Sequence, residues 1–438
     1  MSGVTIAVLG FSAMLLLIAV RMPVGLSMLV VGSLGYIHLS SWPAFFAYMK
    51  TNPYYQFANY TLSVIPLFIL MGALAERAGI STSLFRAAEA FAGRLRGGLA
   101  MSVIWACTAF GAICGSSVAT TATFGRAALP ELQRYKYDGG FATGTIAVGG
   151  TLGILIPPSI ILVVYAITTE QNIAKLFKAA LIPGLMAAAF YTLAIAWVVR
   201  RRPEVAPPAA VTVANRGRAL LSVWPVLLVA LTVIGGIYGG IFTPTEGAAF
   251  GAIAMLIVGI AQGTLDRKGI LESLKQTAET SAMIFIILLG SEVFDAFLAL
   301  SKLPEIAAET VGKSGLPPYA IMISLMLFYV LLGAVMDELA MILLTLPVFF
   351  PIVQALDFGM PSDEVAIWFG ILVLIVVGIG LTAPPIGLNV FVISSIAKTV
   401  PIASTYRGVL PFIATDIVRL GLVIAFPGLA LWLVRLLN

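Results

Sequence analysis

The sequence predicts an all-α polytopic membrane protein, built as an inverted repeat with two re-entrant hairpins and two broken helices. The first observation is composition: 60% of the 438 residues are hydrophobic, 10% are charged, and the mean hydropathy is +1.05. The second is that charged residues fall between long apolar runs, as in chains that lie in lipid. The third is a pair of apolar segments, interrupted by Gly and Pro, that recurs in each half of the chain.

Twelve apolar segments follow one another along the chain. A transmembrane helix needs about 20 residues, and segment 4–20 reads as an uncleaved span because no basic region precedes it. Segments 98–130, 316–354 and 365–397 are too long for one crossing, and each is broken near its middle. The segments are 4–20, 24–41, 61–76, 98–130, 141–168, 178–199, 220–241, 244–262, 277–298, 316–354, 365–397 and 409–434.

The distribution of Lys and Arg decides between tilted crossings and hairpins for segments 98–130 and 316–354. If both are hairpins that return to the face they entered from, 17 basic residues fall on one face and 6 on the other. The positive-inside rule then makes the richer face cytoplasmic and places both termini in the periplasm. The two repeats, residues 1–199 and 220–438, have opposite orientations and are joined by a basic cytoplasmic linker at 200–219.

The tip of the first hairpin offers neutral oxygen ligands. It reads GAICGSSVATTAT over residues 111–123, where glycine permits a turn and Ser116, Ser117 and Thr120 carry hydroxyls. Such oxygens and free carbonyls suit sodium, and free N–H groups at the start of a half-helix suit a carboxylate. Small residues that serve only helix packing are the alternative.

The tip of the second hairpin carries Asp337 and Glu338. A carboxylate deep in a membrane is costly and marks a functional candidate. We therefore expect at least one of the two to bind a cation or to accept hydrogen bonds at a helix end. A salt bridge to Arg126 or Arg419 is the alternative.

Each hairpin is followed by a double proline, one within the broken helix 141–168 and one within the broken helix 365–397. Because proline removes a backbone donor, the carbonyls at 153–155 and 380–382 are expected to lack intrahelical partners. Structural kinks would explain one double proline, but they explain two such breaks less well. Side-chain oxygens close to these breaks belong to Ser159, Thr382 and Asn389.

Other classes of function find little support. His38 is the only histidine and stands apart from the tip serines, so no enzyme active site is expected. The basic residues lie beside apolar segments and form no stripe with interleaved aromatics, so no nucleic-acid binding is expected. Glu246, which follows Thr243-Pro-Thr, is expected to cap a helix.

Five stretches of the chain, taken in order, resemble the large membrane subunit of tripartite ATP-independent periplasmic (TRAP) transporters. The similarity runs along essentially the whole chain. The stretches are GSSVATTATFGRAALPEL, YDGGFATGTIAVGGTLGILIPPSI, GGIFTPTEGAAF, VMDELAMILLTLPVFFPI and GLTAPPIGLNVFV.

The resemblance implies an elevator-type secondary transporter of the bacterial inner membrane, with a scaffold and a mobile transport domain that contains the hairpins. It implies symport of an organic acid with two or more Na⁺ ions. Substrates of the family include C4-dicarboxylates, sialic acids, other sugar acids and ectoines. The implied partners are a small four-helix membrane subunit and a periplasmic binding protein. No four-helix segment precedes residue 4, so we expect the small subunit to be a separate chain. The alternative is a stand-alone ion-coupled anion carrier without a binding protein.

The resemblance also assigns residues at the matching positions. Many relatives carry an acidic residue where Thr120 or Thr121 stands and a serine pair where Gly149-Gly150 stands, which leaves the substrate class open. The implied sodium ligands are Gly115, Ser116, Gly153, Pro157, Gly333, Asp337, Gly378, Gly380, Thr382 and Pro384. The implied substrate ligands are Ser116, Ser117, Ser159, Thr120 and Asn389.

Overall fold

The computed structural model of the chain describes residues 2–207 and 216–437, and the described residues form helices and no β-strand. Residues 208–215 of the predicted linker lie outside the described residues. The first half contains α1 (Gly3–Ala19), α2 (Val24–Leu39), α3 (Trp42–Phe57), α4 (Val64–Arg77), α5 (Ile80–Ala92), α6 (Gly98–Cys114), α7 (Ser117–Arg134), α8 (Gly139–Leu155), α9 (Ile160–Thr168) and α10 (Ile173–Arg201). The second half contains α11 (Arg216–Tyr238), α12 (Pro244–Ala261), α13 (Arg267–Ser301), α14 (Leu303–Gly312), α15 (Pro318–Gly333), α16 (Glu338–Gln354), α17 (Ser362–Gly380), α18 (Leu388–Ile396), α19 (Ile402–Ala425) and α20 (Gly428–Leu436).

The lengths and hydropathies of these helices confirm a polytopic membrane protein. The described part of the chain has seven helices long and apolar enough to cross a membrane. It has eight if α8 and α9, which meet at a bend of 44°, are one broken span. The helices α6, α15 and α16 are apolar but shorter, at 16 or 17 residues.

Two pairs of consecutive helices fold back on themselves. Phe110 of α6 packs edge-on against Phe124 of α7, with ring centroids 5.6 Å apart. In the second half the hydroxyl of Thr345 on α16 donates to the hydroxyl of Tyr329 on α15 at 2.7 Å. Each contact joins residues on opposite sides of a turn, so α6–α7 and α15–α16 are helical hairpins.

Several boundaries differ from the predicted segments. The sequence predicts a single segment over 409–434, but α19 runs from residue 402 to 425 and α20 starts only after Pro427. Proline disfavours a helical conformation in the residue before it, which explains the interruption. The helices α3, α5 and α14 occupy stretches predicted as connections, because a search for long apolar runs does not detect short helices of mixed polarity.

A glycine-lined interface joins α2 to α13. A Cβ atom on Gly25 would lie 2.8 Å from the carbonyl oxygen of Ile286, and one on Gly290 would lie 2.1 Å from the carbonyl oxygen of Gly25. Only glycine allows the two backbones to approach this closely. The helices α2, α4 and α13 form one group with α11 and α12, whereas α8, α10, α17 and α19 pack together with the two hairpins.

The start of α12 has the cap that the sequence predicts. Glu246 accepts a 2.8 Å hydrogen bond from the backbone N–H of Thr243, and the Thr243 hydroxyl accepts one of 3.3 Å from the N–H of Glu246. The two residues form a capping box. The prediction of a capping role for Glu246 is confirmed.

Candidate functional site

The tip of the first hairpin lies against the break between α8 and α9. Gly115 ends α6 with φ of +63°, a conformation that favours glycine. A Cβ atom at this position would lie 2.9 Å from the carbonyl oxygen of Pro158. Ser116 then caps α7, its hydroxyl accepting a hydrogen bond of 3.4 Å from the backbone N–H of Ala119.

Gly153, in the last turn of α8, allows the first hairpin tip to pack closely against this helix. A Cβ atom on Gly153 would lie 2.5 Å from both the Ser116 carbonyl oxygen and the Thr120 hydroxyl. The Thr120 hydroxyl itself donates to the Ser116 carbonyl at 2.7 Å. The structure therefore brings together Gly115, Ser116, Thr120 and Gly153, with Pro157 buried in the adjacent break.

The tip of the second hairpin lies in the same way against the break between α17 and α18. A Cβ atom on Gly380 would lie 2.6 Å from the Cα atom of Gly333. The backbone N–H of Ile386 donates to the carbonyl of Ala334 at 3.1 Å. Asp337 caps α16, one of its oxygens accepting from the N–H groups of residues 339 and 340 at 3.1 and 3.0 Å. The expectation of a carboxylate that accepts hydrogen bonds at a helix end is confirmed for Asp337.

The two breaks differ in how many carbonyls they leave without donors. Within the described residues, no donor hydrogen-bonds to the carbonyls of 153–155, as the sequence predicts. The carbonyls of 380–382 also receive no hydrogen bond from within α17, as the sequence predicts, but two of them accept from residues that follow this helix. The Gly380 carbonyl accepts from the N–H of Ala383 at 3.3 Å and the Leu381 carbonyl accepts from the N–H of Asn389 at 3.0 Å. A seven-residue loop can fold back to supply donors, which a shorter break cannot do.

The remaining predicted residues of the second break are mostly buried. The Thr382 hydroxyl donates to the carbonyl of residue 379 at 3.1 Å, and it lies 3.4 Å from that of Gly378. The Asn389 side chain donates to the carbonyl of Ala147 on α8 at 3.1 Å, while its own oxygen is buried without a partner. Pro384, in contrast, is exposed.

The two hairpin tips contact each other directly. The hydroxyl of Ser117, the first residue of α7, donates a 2.7 Å hydrogen bond to a carboxylate oxygen of Glu338, the first residue of α16. The alternative of a salt bridge from the tip carboxylates to Arg126 or Arg419 is wrong. Arg126 pairs with Glu76 at 2.7 Å, and Arg419 pairs with Asp416 at 2.8 Å.

A cavity of about 530 Å³ lies where the tips face α4 and α13. Of the predicted ligands, Gly115, Ser116 and Asp337 line it. Ser117, Thr120, Ser159 and Asn389 are fully buried and lie outside its lining. The volume is that of an ordinary small-molecule site.

The opposite wall of this cavity contains polar residues that the sequence analysis does not identify. Glu76 comes from the end of α4, and Gln276 and Thr280 come from α13. Gln276 and Thr280 could have been identified by their spacing of four residues, because it places two polar side chains on one face of an apolar helix.

A buried polar chain supports α8 behind the first break. The Tyr191 hydroxyl donates to Asp416 at 2.7 Å and lies 3.2 Å from the hydroxyl of Thr151, two residues before Gly153. Asp416 and Arg419 are 1% and 0% exposed, and Arg419 also donates to the carbonyl of Pro183 at 3.2 Å. The chain links α8, α10 and α19.

A family model described as "Tripartite ATP-independent periplasmic transporter, DctM component" matches residues 11–429. The chain belongs to this family. The large permease protein DctM of a C4-dicarboxylate TRAP transporter from Pseudomonas aeruginosa is 34% identical over 374 residues, which cover 85% of this chain and 86% of the relative. The large permease protein SiaM of a sialic acid TRAP transporter from Vibrio cholerae is 30% identical over 379 residues, which cover 86% of this chain and 87% of the relative.

A solved structure shares the fold of this DctM-family chain. The YdaH transporter of Alcanivorax borkumensis, described as having an unusual topology, superposes with a TM-score of 0.59 at 14% sequence identity. The match covers 88% of this chain and 89% of that protein. At this identity the likeness concerns the fold alone. The DctM-family chain is therefore a TRAP transporter large permease with an all-helical membrane fold.

Proposed function

We propose that this permease imports an organic carboxylate together with Na⁺ across the bacterial inner membrane, by an elevator movement of the helices that carry the hairpins. The observation that supports the proposal best is the cavity of about 530 Å³ at which both hairpin tips face α4 and α13. It is bounded on one side by the hairpins and on the other by α4 and α13, so a solute held at the tips can move with one group relative to the other.

Neutral oxygens at the first break support sodium binding there. The carbonyls of 153–155 receive no hydrogen bond from any described donor, and Gly153 holds them next to the first tip. Na⁺ is a hard cation that prefers such oxygens, as Ca²⁺ and Mg²⁺ do. At the second break, the sodium ligands proposed are Gly333, Gly378, Gly380 and Thr382, with Asp337 nearby in the tip.

The charges that line the cavity support an order in which cations bind before the anion. Three carboxylates line it, those of Glu76, Asp337 and Glu338. Arg126 forms an ion pair with Glu76. Backbone N–H groups donate to Asp337, and the Ser117 hydroxyl donates to Glu338. An anionic substrate would still be repelled by these carboxylates unless further positive charge were present. Bound Na⁺ supplies that charge, together with the amino-terminal end of α7 at Ser116.

The direction in which the cavity extends supports an inward-facing arrangement. Its polar wall consists of Glu76, Gln276 and Thr280, which lie towards the ends of α4 and α13 that carry Arg77 and Arg267. These ends are cytoplasmic in the predicted topology, which has both termini in the periplasm. The ion pair between Arg77 and Glu272 joins the same two ends.

The proposed partners are a small four-helix membrane subunit and a periplasmic binding protein. The proposed substrates are those in the names of the relatives, C4-dicarboxylates or sialic acid, or a related carboxylate. A thermal-shift screen of the binding protein encoded beside this chain against organic acids would identify the substrate.

Uptake by proteoliposomes that contain both membrane subunits and the loaded binding protein tests the proposal. We expect uptake with an inward Na⁺ gradient and loss of uptake when K⁺ replaces Na⁺. Undiminished uptake in K⁺ would overturn sodium coupling. Equal uptake of free substrate without the binding protein would favour a stand-alone carrier.

A further inference from the structure

A second cavity, of about 610 Å³, lies on the surface between the end of α10 and the beginning of α19. Three arginines from two distant parts of the sequence line it: Arg201 at the end of α10, Arg202 directly after it, and Arg407 from α19. The rest of its lining is apolar and consists of Trp197, Val198, Leu410 and Pro411.

These three guanidinium groups have no acidic partner in the described part of the chain. None takes part in any of the ion pairs formed by residues 2–207 and 216–437. Glu204, two residues after Arg202, also takes part in none of these ion pairs. Arg201 lies over the Trp197 ring, 5.7 Å from its centroid, which orients it without cancelling its charge. Three uncompensated guanidinium groups around one cavity favour an anion that accepts several hydrogen bonds, such as a phosphate.

This second cavity is a groove between α10 and α19, and its position indicates which class of phosphate-containing molecule binds there. The helix α10 has 29 residues and is about 43 Å long, so it extends beyond a hydrocarbon core of about 30 Å. Its last turns lie at the membrane boundary, where tryptophan is enriched. The side chains of Trp197 and Leu410 are 58% and 55% exposed, so the apolar part of the groove is accessible to lipid.

The geometry points to a binding site for an anionic glycerophospholipid in this groove. The headgroup phosphate is held between Arg201, Arg202 and Arg407, and an acyl chain lies along Trp197 and Leu410. Basic pockets between transmembrane helices at the cytoplasmic side bind anionic headgroups in this way. A free phosphate ion would use the arginines but leave the apolar half of the groove unfilled. The site is separate from the hairpin tips and depends on neither the substrate nor sodium coupling.

Trp197 provides a local reporter for the test. The full chain is placed in nanodiscs that contain a minor fraction of brominated phosphatidylglycerol or the same fraction of brominated phosphatidylcholine. The Trp197 signal is obtained by subtracting the emission of Trp197→Phe. We expect stronger quenching by the anionic lipid, and a preference that falls about fivefold for each arginine removed, the usual contribution of one basic residue near a membrane surface.

Arg407→Gln is the main variant, because Arg407 does not stack on the reporter ring. Arg407→Lys should keep most of the preference, since the charge remains. The matched control is Arg94→Gln with Arg96→Gln, two exposed arginines that the predicted topology puts on the same face but that line none of the cavities described above. Its preference for the anionic lipid should be unchanged.

Any one of the following results would overturn the assignment. These are equal quenching by the two brominated lipids, a preference that is undiminished in Arg407→Gln, and relief of quenching by millimolar inorganic phosphate. The last would indicate a soluble anion in place of a lipid. Equal loss of the preference in Arg94→Gln with Arg96→Gln would also overturn it, because the effect would then reflect the general surface charge.

Discussion

The hydroxyl of Ser117 donates a 2.7 Å hydrogen bond to Glu338, and this contact joins the two hairpin tips across 221 positions of sequence. Both residues are the first of their helices, so the Glu338 carboxylate lies in the first turn of α16 and next to the first turn of α7. A negative charge is favoured at the amino-terminal end of a helix. One carboxylate therefore interacts favourably with the ends of two helices that come from different halves of the chain.

We expect Ser117→Ala to lower stability by about 1.5–3 kcal/mol, the usual contribution of a hydrogen bond to a charged group. Glu338→Gln should cost less, because the amide oxygen still accepts from Ser117, whereas Glu338→Leu removes the acceptor. Thermal unfolding of the detergent-solubilised chain measures these differences. In a double-mutant cycle, Ser117→Ala and Glu338→Leu should be non-additive. Strict additivity would mean that the contact contributes nothing.

Alanine at Gly153 or Gly380 should abolish uptake while leaving the chain inserted in the membrane. A new Cβ atom would lie 2.5 Å from the Ser116 carbonyl oxygen in the first case and 2.5 Å from the Gly333 carbonyl carbon in the second. Both atoms are backbone, so the tip must move, at a cost of about 1–3 kcal/mol.

Gly421→Ala is the matched control for these substitutions. Gly421 lies within α19, and a Cβ atom there would meet nothing within 4 Å. Alanine should be neutral or stabilise the helix by about 0.5–1 kcal/mol. Normal uptake by Gly153→Ala would mean that transport does not require close packing of the first hairpin tip against α8.

The buried pair of Asp416 and Arg419 should behave as a unit. Asp416→Leu or Arg419→Met alone should destabilise the chain by about 3–5 kcal/mol, because each leaves one uncompensated buried charge. The double variant should recover most of this loss, since it buries no charge. Unfolding temperatures of the three variants test the idea. A double variant as unstable as the sum of the single variants would contradict it.

The breaks could be predicted from sequence because Gly and Pro disrupt helices locally, and the hairpins because the distribution of Lys and Arg distinguishes them from tilted crossings. The tips, the double prolines and the Thr243–Glu246 cap all depend on residues within a few positions of each other. The contact between Ser117 and Glu338 could not be predicted in this way, because it depends on how two distant segments meet. The position of the cavity wall could not be predicted either, because the spacing of Gln276 and Thr280 indicates a polar face on α13 but not which segment that face meets.

The ion pair between Arg419 and Asp416 could have been predicted from the sequence. Asp416 lies three residues before it on an apolar helix, at a spacing that places both side chains on one face. Asp337 and Glu338 of the second tip were the other candidate partners for Arg419. The sequence contains no information on the distances that would distinguish them from Asp416. The structure resolves this because Asp416 and Arg419 lie where α19 packs against α8 and α10.

The last prediction concerns the sodium ligands. Ser116→Ala and Thr382→Ala should each raise the Na⁺ concentration for half-maximal uptake about tenfold, because loss of one hydroxyl ligand costs about 1.4 kcal/mol. Thr382→Ser should restore the original requirement. Thr192→Ala is the matched control, since Thr192 also bonds to the carbonyl four residues earlier but lies on α10, outside the tips and breaks. Uptake in proteoliposomes over a series of Na⁺ concentrations measures the effect. An unchanged sodium requirement in both Ser116→Ala and Thr382→Ala would refute these two assignments, even if uptake itself still depends on Na⁺.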